Sequence, residues 1–254
     1  MKKRLDVLLV ERGHAESRAQ AQALVLAGLV RGHDKPGHQV DEDAELEVER
    51  PARFVSRGGE KLANALAQLD IEVEGRDAID LGASTGGFTD CLLQNGAARV
   101  IAVDVGYGQL HPNVRNDARV TVLERTNVRA LEALPFRPDL LVCDVSFISV
   151  RLALPPVVAL LESGWDALVL VKPQFEAGKD EVGKGGVIRD PAIHRRVLRE
   201  VVEAALEWGG TAVGVVDSRL PGPKGNREFF LHLINRDDPV LLDDIDERIR
   251  AAVG

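Results

Sequence analysis

Cysteine is nearly missing from this sequence: only Cys91 and Cys143 occur in 254 residues, each inside an apolar stretch. Two thiols placed this way support neither a disulfide framework nor a cysteine-based metal site, so two reduced core thiols and no metal are expected. Long hydrophobic runs are missing too, for none approaches the roughly 18 apolar residues that span a bilayer. The basic start Met1-Lys2-Lys3-Arg4 continues into Leu5-Asp6-Val7 rather than an apolar signal core. A cytoplasmic protein without a membrane partner is the expectation. A surplus of base is also lacking, since the net charge is −8, which argues against a uniformly basic nucleic-acid binder.

What is present is ordinary for a folded soluble chain, with 45% hydrophobic and 28% charged residues. The charge, however, is unevenly spread. Residues 1–40 hold seven Lys or Arg against four Asp or Glu, with three histidines, whereas Asp41 to Glu49 carries six acids and no base. The basic start permits an RNA partner, and the acidic run reads as a solvated strand and connection.

Leu5–Val10 reads as a short helix ending at Gly13, and Ser17 as the N-cap of a second helix, Arg18 to Ala27, closed by Gly28. Leu29-Val30 and Ala44–Val48 are predicted as short strands around the turn Asp34-Lys35-Pro36-Gly37. Pro51 marks a boundary, after which Val55–Lys61 leads into a helix started by Ser56 or the glycines. From Asp77 onward, apolar strands alternate with amphipathic helices. The strands Ala78–Leu81, Val100–Val103, Val120–Leu123, Leu140–Cys143 and Leu168–Val171 have the spacing of a buried parallel sheet. Ala212–Val216 and Phe229–Ile234, joined by a short connection, predict an antiparallel hairpin at one edge. The tail from Asp237 is expected to end in a helix.

The loop Asp80-Leu81-Gly82-Ala83-Ser84-Thr85-Gly86-Gly87-Phe88-Thr89 follows the first sheet strand, with small residues where a backbone must approach a ligand closely. Asp104 ends the next strand about 20 residues later, where a carboxylate accepts hydrogen bonds from ribose hydroxyls. A nicotinamide dinucleotide would use the same acid but favours a G-x-G-x-x-G spacing. Here the loop reads Gly82-x-x-x-Gly86-Gly87, with Asp80 placed to meet the amino group of an amino-acid cofactor. These residues favour S-adenosylmethionine. Asp80 also has the plainer reading of a loop-bracing carboxylate, and Asn127 is either a reader of the adenine edge or a turn residue.

Ligands on such sheets bind outside the carboxyl ends of the strands, where Asp144 and Lys172 end the fourth and fifth strands. Singly, each has an ordinary structural reading. Together, beside a sulfonium cofactor, they can activate a hydroxyl, with Lys172 held by Asp144 and accepting or orienting its proton.

Asp80–Phe88, Asp104, Thr126-Asn127-Val128-Arg129, Asp144–Ser149, Val171–Glu176 and Pro221-x-x-Lys224-Gly225-Asn226-x-Glu228-Phe229, in this order, resemble the TlyA family, often labelled hemolysin A. The resemblance covers nearly the whole chain. It implies an α/β fold: a Rossmann-like, seven-stranded, S-adenosylmethionine-dependent methyltransferase domain of FtsJ type behind a small N-terminal α+β S4 RNA-binding domain. The boundaries it suggests are 1–50 for the S4 domain, 51–60 for a linker and 61–254 for the methyltransferase. The implied activity is 2′-O-methylation of cytidine ribose in bacterial 16S ribosomal RNA, 23S ribosomal RNA or both. The family's Lys-Asp-Lys-Glu tetrad falls on Lys61, Asp144, Lys172 and Glu228, and its cofactor residues on Asp80, Gly82, Ser84, Gly86, Gly87, Phe88, Asp104 and Asn127. Candidate RNA phosphate contacts are Lys3, Arg4, Arg18, Arg31 and Lys35. One departure is the segment Val30–Gly37, shorter than the family's hairpin and without its Val-Asn-Gly element.

Other activities fit less well. A pore-forming haemolysin needs a membrane-inserting stretch. A catalytically silent RNA-binding assembly factor has no reason to keep all four tetrad positions and the cofactor loop. A cytosine C5 methyltransferase needs a pocket cysteine, but Cys143 should point to the face of its strand opposite Asp144. An amino-group methyltransferase favours Asp/Asn-Pro-Pro-aromatic, where this sequence has Asp144-Val145-Ser146-Phe147.

Overall fold

The computed structural model describes residues 1–49, 52–222, 224–236 and 245–254. The chain divides into two compact units, Met1–Arg53 and Phe54–Gly254. Pro51, expected at the boundary, lies outside the described residues.

In the first unit, β1 (Lys2–Arg4) runs directly into α1 (Leu5–Glu11), followed by α2 (Arg18–Leu26) and β2 (Gln39–Asp41). Ser17 caps α2 by accepting a hydrogen bond from the Gln20 amide at 3.3 Å, as its place before the apolar-periodic stretch predicts. The predicted strands are displaced: Leu29-Val30 and Ala44–Val48 meet only at one bridge, Val30 to Val48, and the two-stranded sheet pairs β1 with β2 instead. Lys2-Lys3-Arg4 has no apolar alternation to announce a strand. Its strand is held by backbone pairing and by ion pairs, Lys3 to Glu42 at 2.8 Å and Arg4 to Asp6 at 3.0 Å. Leu5, Leu8, Leu9, Ala21, Val25 and Val30 fill the core.

The second unit begins with a buried Phe54 and α3 (Arg57–Leu69), so residues 54–60, expected as linker, already belong to this unit. There follow β3 (Asp77–Leu81), α4 (Gly87–Gln94), β4 (Arg99–Val103), α5 (Pro112–Arg115), β5 (Val120–Leu123) and β6 (Leu140–Cys143). The chain continues through α6 (Val150–Ala153), α7 (Pro155–Val158), β7 (Asp166–Val171), α8 (Pro173–Glu176), α9 (Pro191–Glu207), β8 (Thr211–Asp217), β9 (Phe229–Ile234) and α10 (Ile245–Val253). The sheet order is β5-β4-β3-β6-β7-β9-β8. The strands β3 to β7 are parallel, and β9 is antiparallel to both β7 and β8. The predicted hairpin therefore exists, but only β8 is an edge. Residues 218–228 separate the two strands in sequence, more than the short connection expected.

Period-two alternation sorts the strand side chains onto two faces. Ile79, Leu81, Leu141, Cys143 and Val169 face one core with α9 residues such as Val197 and Val201. Ala78, Leu140, Val142, Leu168 and Phe230 face the other, with Leu62 and Leu66 of α3 and Leu92 of α4. Both faces being covered explains why the central strands read as unbroken apolar runs. The chain reverses its direction of travel across the sheet between β3 and β6, leaving a crevice at their carboxyl ends.

Candidate active site

The cofactor loop is shaped by close approaches of backbone. At Gly82 (φ +82°) a Cβ would lie 2.8 Å from the Asp144 carbonyl oxygen, so glycine lets the ends of β3 and β6 meet. At Gly87 a Cβ would stand 2.1 Å from Ser56 Oγ and 2.9 Å from the Gly59 nitrogen, so glycine also lets the starts of α3 and α4 pack together. Ser84 takes a left-handed conformation (φ +49°). From there its amide donates to Asp104 Oδ2 at 2.8 Å, while the Gly106 amide donates to Asp104 Oδ1 at 2.6 Å. Asp104 thus sits between the loops that follow β3 and β4. Together with Gly82, Ser84, Asn127 and Phe147 it lines a crevice of about 950 Å³. Asn127 caps a short 3₁₀ turn by accepting from the Arg129 amide at 3.1 Å, so the turn-residue reading and a place in the crevice both apply to it.

Asp80 is placed differently from its expected position facing a cofactor amino group. It is fully buried beneath the loop and accepts a 2.7 Å hydrogen bond from Thr89 Oγ1. Burial in apolar surroundings pushes its carboxyl up to about 7. The geometry is that of a brace. Gly86 and Gly87 start α4, and Phe88 lines a smaller cavity of about 210 Å³ with Ser56, Arg57, Gly58 and Lys61.

The four tetrad positions converge on a further cavity of about 420 Å³. Lys61, one turn into α3, donates to Glu228 Oε2 at 2.5 Å, and both are buried. Lys172, at the end of β7, lies 2.6 Å from Asp144 Oδ1 at the end of β6. Lys172 also donates to Ser146 Oγ at 2.7 Å. Asp144 lines all three cavities and so marks where they join. Two lysine side chains, each beside a carboxylate, suit a site that orients a hydroxyl and handles its proton. Cys143, by contrast, points into the sheet core, where burial pushes its thiol up to about 12 and leaves it no role as a nucleophile.

Arg57, Ser146, Gln174, Phe175 and Lys224 also line these cavities; the last four fall within the motifs that carry the resemblance, but the sequence assigns none of the five a role. A signal existed for Ser146: two residues after Asp144 in an extended segment, it falls on the same side of the chain. Glu176 is likewise missed. It accepts from Ser149 Oγ at 2.5 Å and from the Val150 amide at 2.7 Å, tying the segment after β6 to the one after β7.

In the first unit, four of the five candidate phosphate contacts are ion-paired. Arg4 and Arg18 both reach Asp6 Oδ2 at 3.0 Å, Lys3 pairs with Glu11 and Glu42 at 2.8 Å, and Arg31 pairs with Glu47 at 2.8 Å. Lys35 is exposed and, among the described residues, in no ion pair. The surplus of base counted in the sequence is therefore largely neutralised locally.

The model of the FtsJ-like methyltransferase family matches residues 54–235, and that of the S4 domain residues 3–31. The chain belongs to the TlyA branch of the FtsJ-like methyltransferases. It is 49% identical over 246 residues to the 16S/23S rRNA (cytidine-2′-O)-methyltransferase TlyA of Mycobacterium tuberculosis, covering 94% of this chain and 92% of that one. Hemolysin A of Brachyspira hyodysenteriae is 39% identical, over 91% of this chain and 99% of that protein. A solved structure from Streptococcus thermophilus that carries a provisional hemolysin label superposes with a TM-score of 0.75 at 43% identity, covering 99% of this chain and 95% of that one. Among the described residues of this TlyA-branch chain, no helix is long and apolar enough to cross a membrane.

Proposed function

We propose that this protein transfers a methyl group from S-adenosylmethionine to the 2′-hydroxyl of a cytidine in ribosomal RNA, 16S or 23S or both, in the cytoplasm. The observation that carries this reading is the pairing of Lys61 with Glu228 and of Lys172 with Asp144 where the cofactor crevice opens into a second cavity. S-adenosylmethionine supplies a methyl carbon made electrophilic by its sulfonium. The crevice fits it chemically: Asp104 offers a carboxylate to ribose hydroxyls, Asn127 an amide to an adenine edge, and the loop from Gly82 to Gly87 a backbone free of side-chain bulk.

A ribose hydroxyl is a poor acid, so the site must hold it in line with the methyl carbon and accept its proton as the new bond forms. Lys172 is placed to accept or orient that proton, with Asp144 fixing its position. Lys61 and Glu228 line the same cavity and orient the ribose. The N-terminal unit supplies RNA affinity through its basic side chains, with Lys35 the freest and with Arg4 and Arg18 held by Asp6.

The test is to incubate the full-length protein with radiolabelled S-adenosylmethionine and separate 30S and 50S subunits, then map the label. Label on a cytidine ribose is the expected result, and label on a base or no label would overturn the reading. Lys172→Ala should abolish transfer while leaving cofactor and RNA binding within about twofold, because its contact matters chiefly in the transition state. Lys172→Arg should fail as well, since a guanidinium stays protonated.

A further inference from the structure

We propose that Ser146 is the proton outlet of Lys172, a relay residue that acts through the lysine and returns it to its starting state after each turnover. The inference rests on the proposed methyl transfer to a hydroxyl.

Lys172 is only 8% exposed, and three groups surround its nitrogen. Asp144 Oδ1 lies at 2.6 Å, Ser146 Oγ at 2.7 Å and the Phe175 ring centroid at 5.9 Å. These neighbours differ in what they can do with a proton. The Phe175 ring can neither accept nor pass one on. An ionised Asp144 that took the proton would lose the negative charge that holds Lys172 in place, so it serves as the fixed partner. A serine hydroxyl both accepts and donates. Ser146 is moreover an exposed residue bonded to a buried one, and it lines both the tetrad cavity and the cofactor crevice. Asp144 borders the same spaces, but of the two oxygen neighbours Ser146 is the one that can pass a proton on without any change in its own charge.

The chemistry needs such a route. As the ribose oxygen bonds to the methyl carbon, the carbon–sulfur bond breaks with its electron pair left on sulfur, and the hydroxyl proton passes to the Lys172 amine. The resulting ammonium gives a proton to Ser146 Oγ while Ser146 releases its own proton to water. Amine and hydroxyl are then restored, one proton has reached solvent per methyl transferred, and no other reactant is required.

Two measurements on the full-length chain decide the matter. The first needs no turnover: nitrogen-15 NMR of the Lys172 side chain reads how fast its Nζ hydrogens exchange with water. Exchange should slow by about tenfold or more in Ser146→Ala and return in Ser146→Thr, which keeps the hydroxyl. The second is single-turnover methylation of ribosomal subunits. Ser146→Ala should lower the rate about 100-fold, the scale of a lost proton-transfer partner, with unchanged cofactor affinity and unchanged KM for the subunits. Adding imidazole buffer, a small diffusible proton carrier, should raise the variant's rate in proportion to its concentration and leave the wild type unaffected. A serine that merely props the lysine predicts slow methylation that imidazole does not rescue, with exchange unaltered, and that result overturns the relay. So does a Ser146→Ala protein with wild-type exchange and rate. A wild type that methylates no ribosomal RNA sinks the proposed function, and the exchange measurement then decides the outlet by itself.

Discussion

The ammonium of Lys61 meets the carboxylate of Glu228 at 2.5 Å, although 167 residues separate them in the chain and both side chains are buried. One comes from the first turns of α3 and the other from the foot of β9, so this ion pair closes the unit across its two ends.

Removing one member leaves a buried charge without its partner. Lys61→Met or Glu228→Leu alone should lower unfolding stability by about 3–5 kcal/mol. The double variant Lys61→Met/Glu228→Leu should recover most of that loss while remaining inactive. Denaturant unfolding of the three variants, with methylation assays beside them, checks both halves. A stable and active single variant would show that the pair serves neither purpose.

Asp104 should govern cofactor affinity. Hydrogen bonds to a charged acceptor contribute about 1.5–3 kcal/mol, so Asp104→Ala should weaken S-adenosylmethionine binding by roughly ten- to a hundredfold. Calorimetry measures this directly, with circular dichroism to verify the fold. The variant also loses the acceptor of the Ser84 and Gly106 amides, so Asp104→Asn, which keeps one acceptor oxygen, should lose less.

Asp80 makes stability depend on pH in an unusual direction. Its folded carboxyl is pushed up to about 7 by burial, whereas an unfolded one titrates near ~3.9. Between those values the folded protein holds a proton that the unfolded chain releases. Stability is therefore greatest below the unfolded value and falls as pH rises through this window, by on the order of 4 kcal/mol, levelling above about 7. Asp80→Asn should remove this contribution, matching wild type near pH 4 and exceeding it at pH 8. Thermal melts of both proteins across that range read the difference, in which groups common to both cancel. Equal pH profiles would mean that Asp80 stays ionised.

A fragment starting at Phe54 should fold, since that unit holds its own sheet and both of its covering layers. It should bind S-adenosylmethionine as the whole protein does, yet lose most of its affinity for ribosomal RNA. The full chain's RNA affinity should fall with added salt as counterion release requires. Filter binding at several salt concentrations tests this, and equal RNA affinity of fragment and whole would contradict the division of labour.

Much of this was legible in the residues because it follows from local rules. The strands of the large sheet announced themselves as apolar runs, since burial on both faces leaves no polar alternation to confuse them. The Ser17 cap, the glycine loop and the strand-end positions of Asp104, Asp144 and Lys172 follow from neighbours in sequence. The motifs carried the family and, through it, the tetrad. Tertiary structure alone decided the rest. That Asp80 is sealed against Thr89 instead of facing a cofactor depends on what packs over the loop. That Arg18 joins Arg4 on Asp6 depends on how α1 and α2 meet, and a count of charges cannot register such pairing. β1 could not be read from Lys2-Lys3-Arg4, because its stability comes from backbone pairing and ion pairs with residues about 40 positions away. Whether Lys61 and Glu228 touch was likewise beyond any local rule: the contact exists only once β9 has inserted between β7 and β8, and a pairing across 167 residues is set by the packing of the whole sheet.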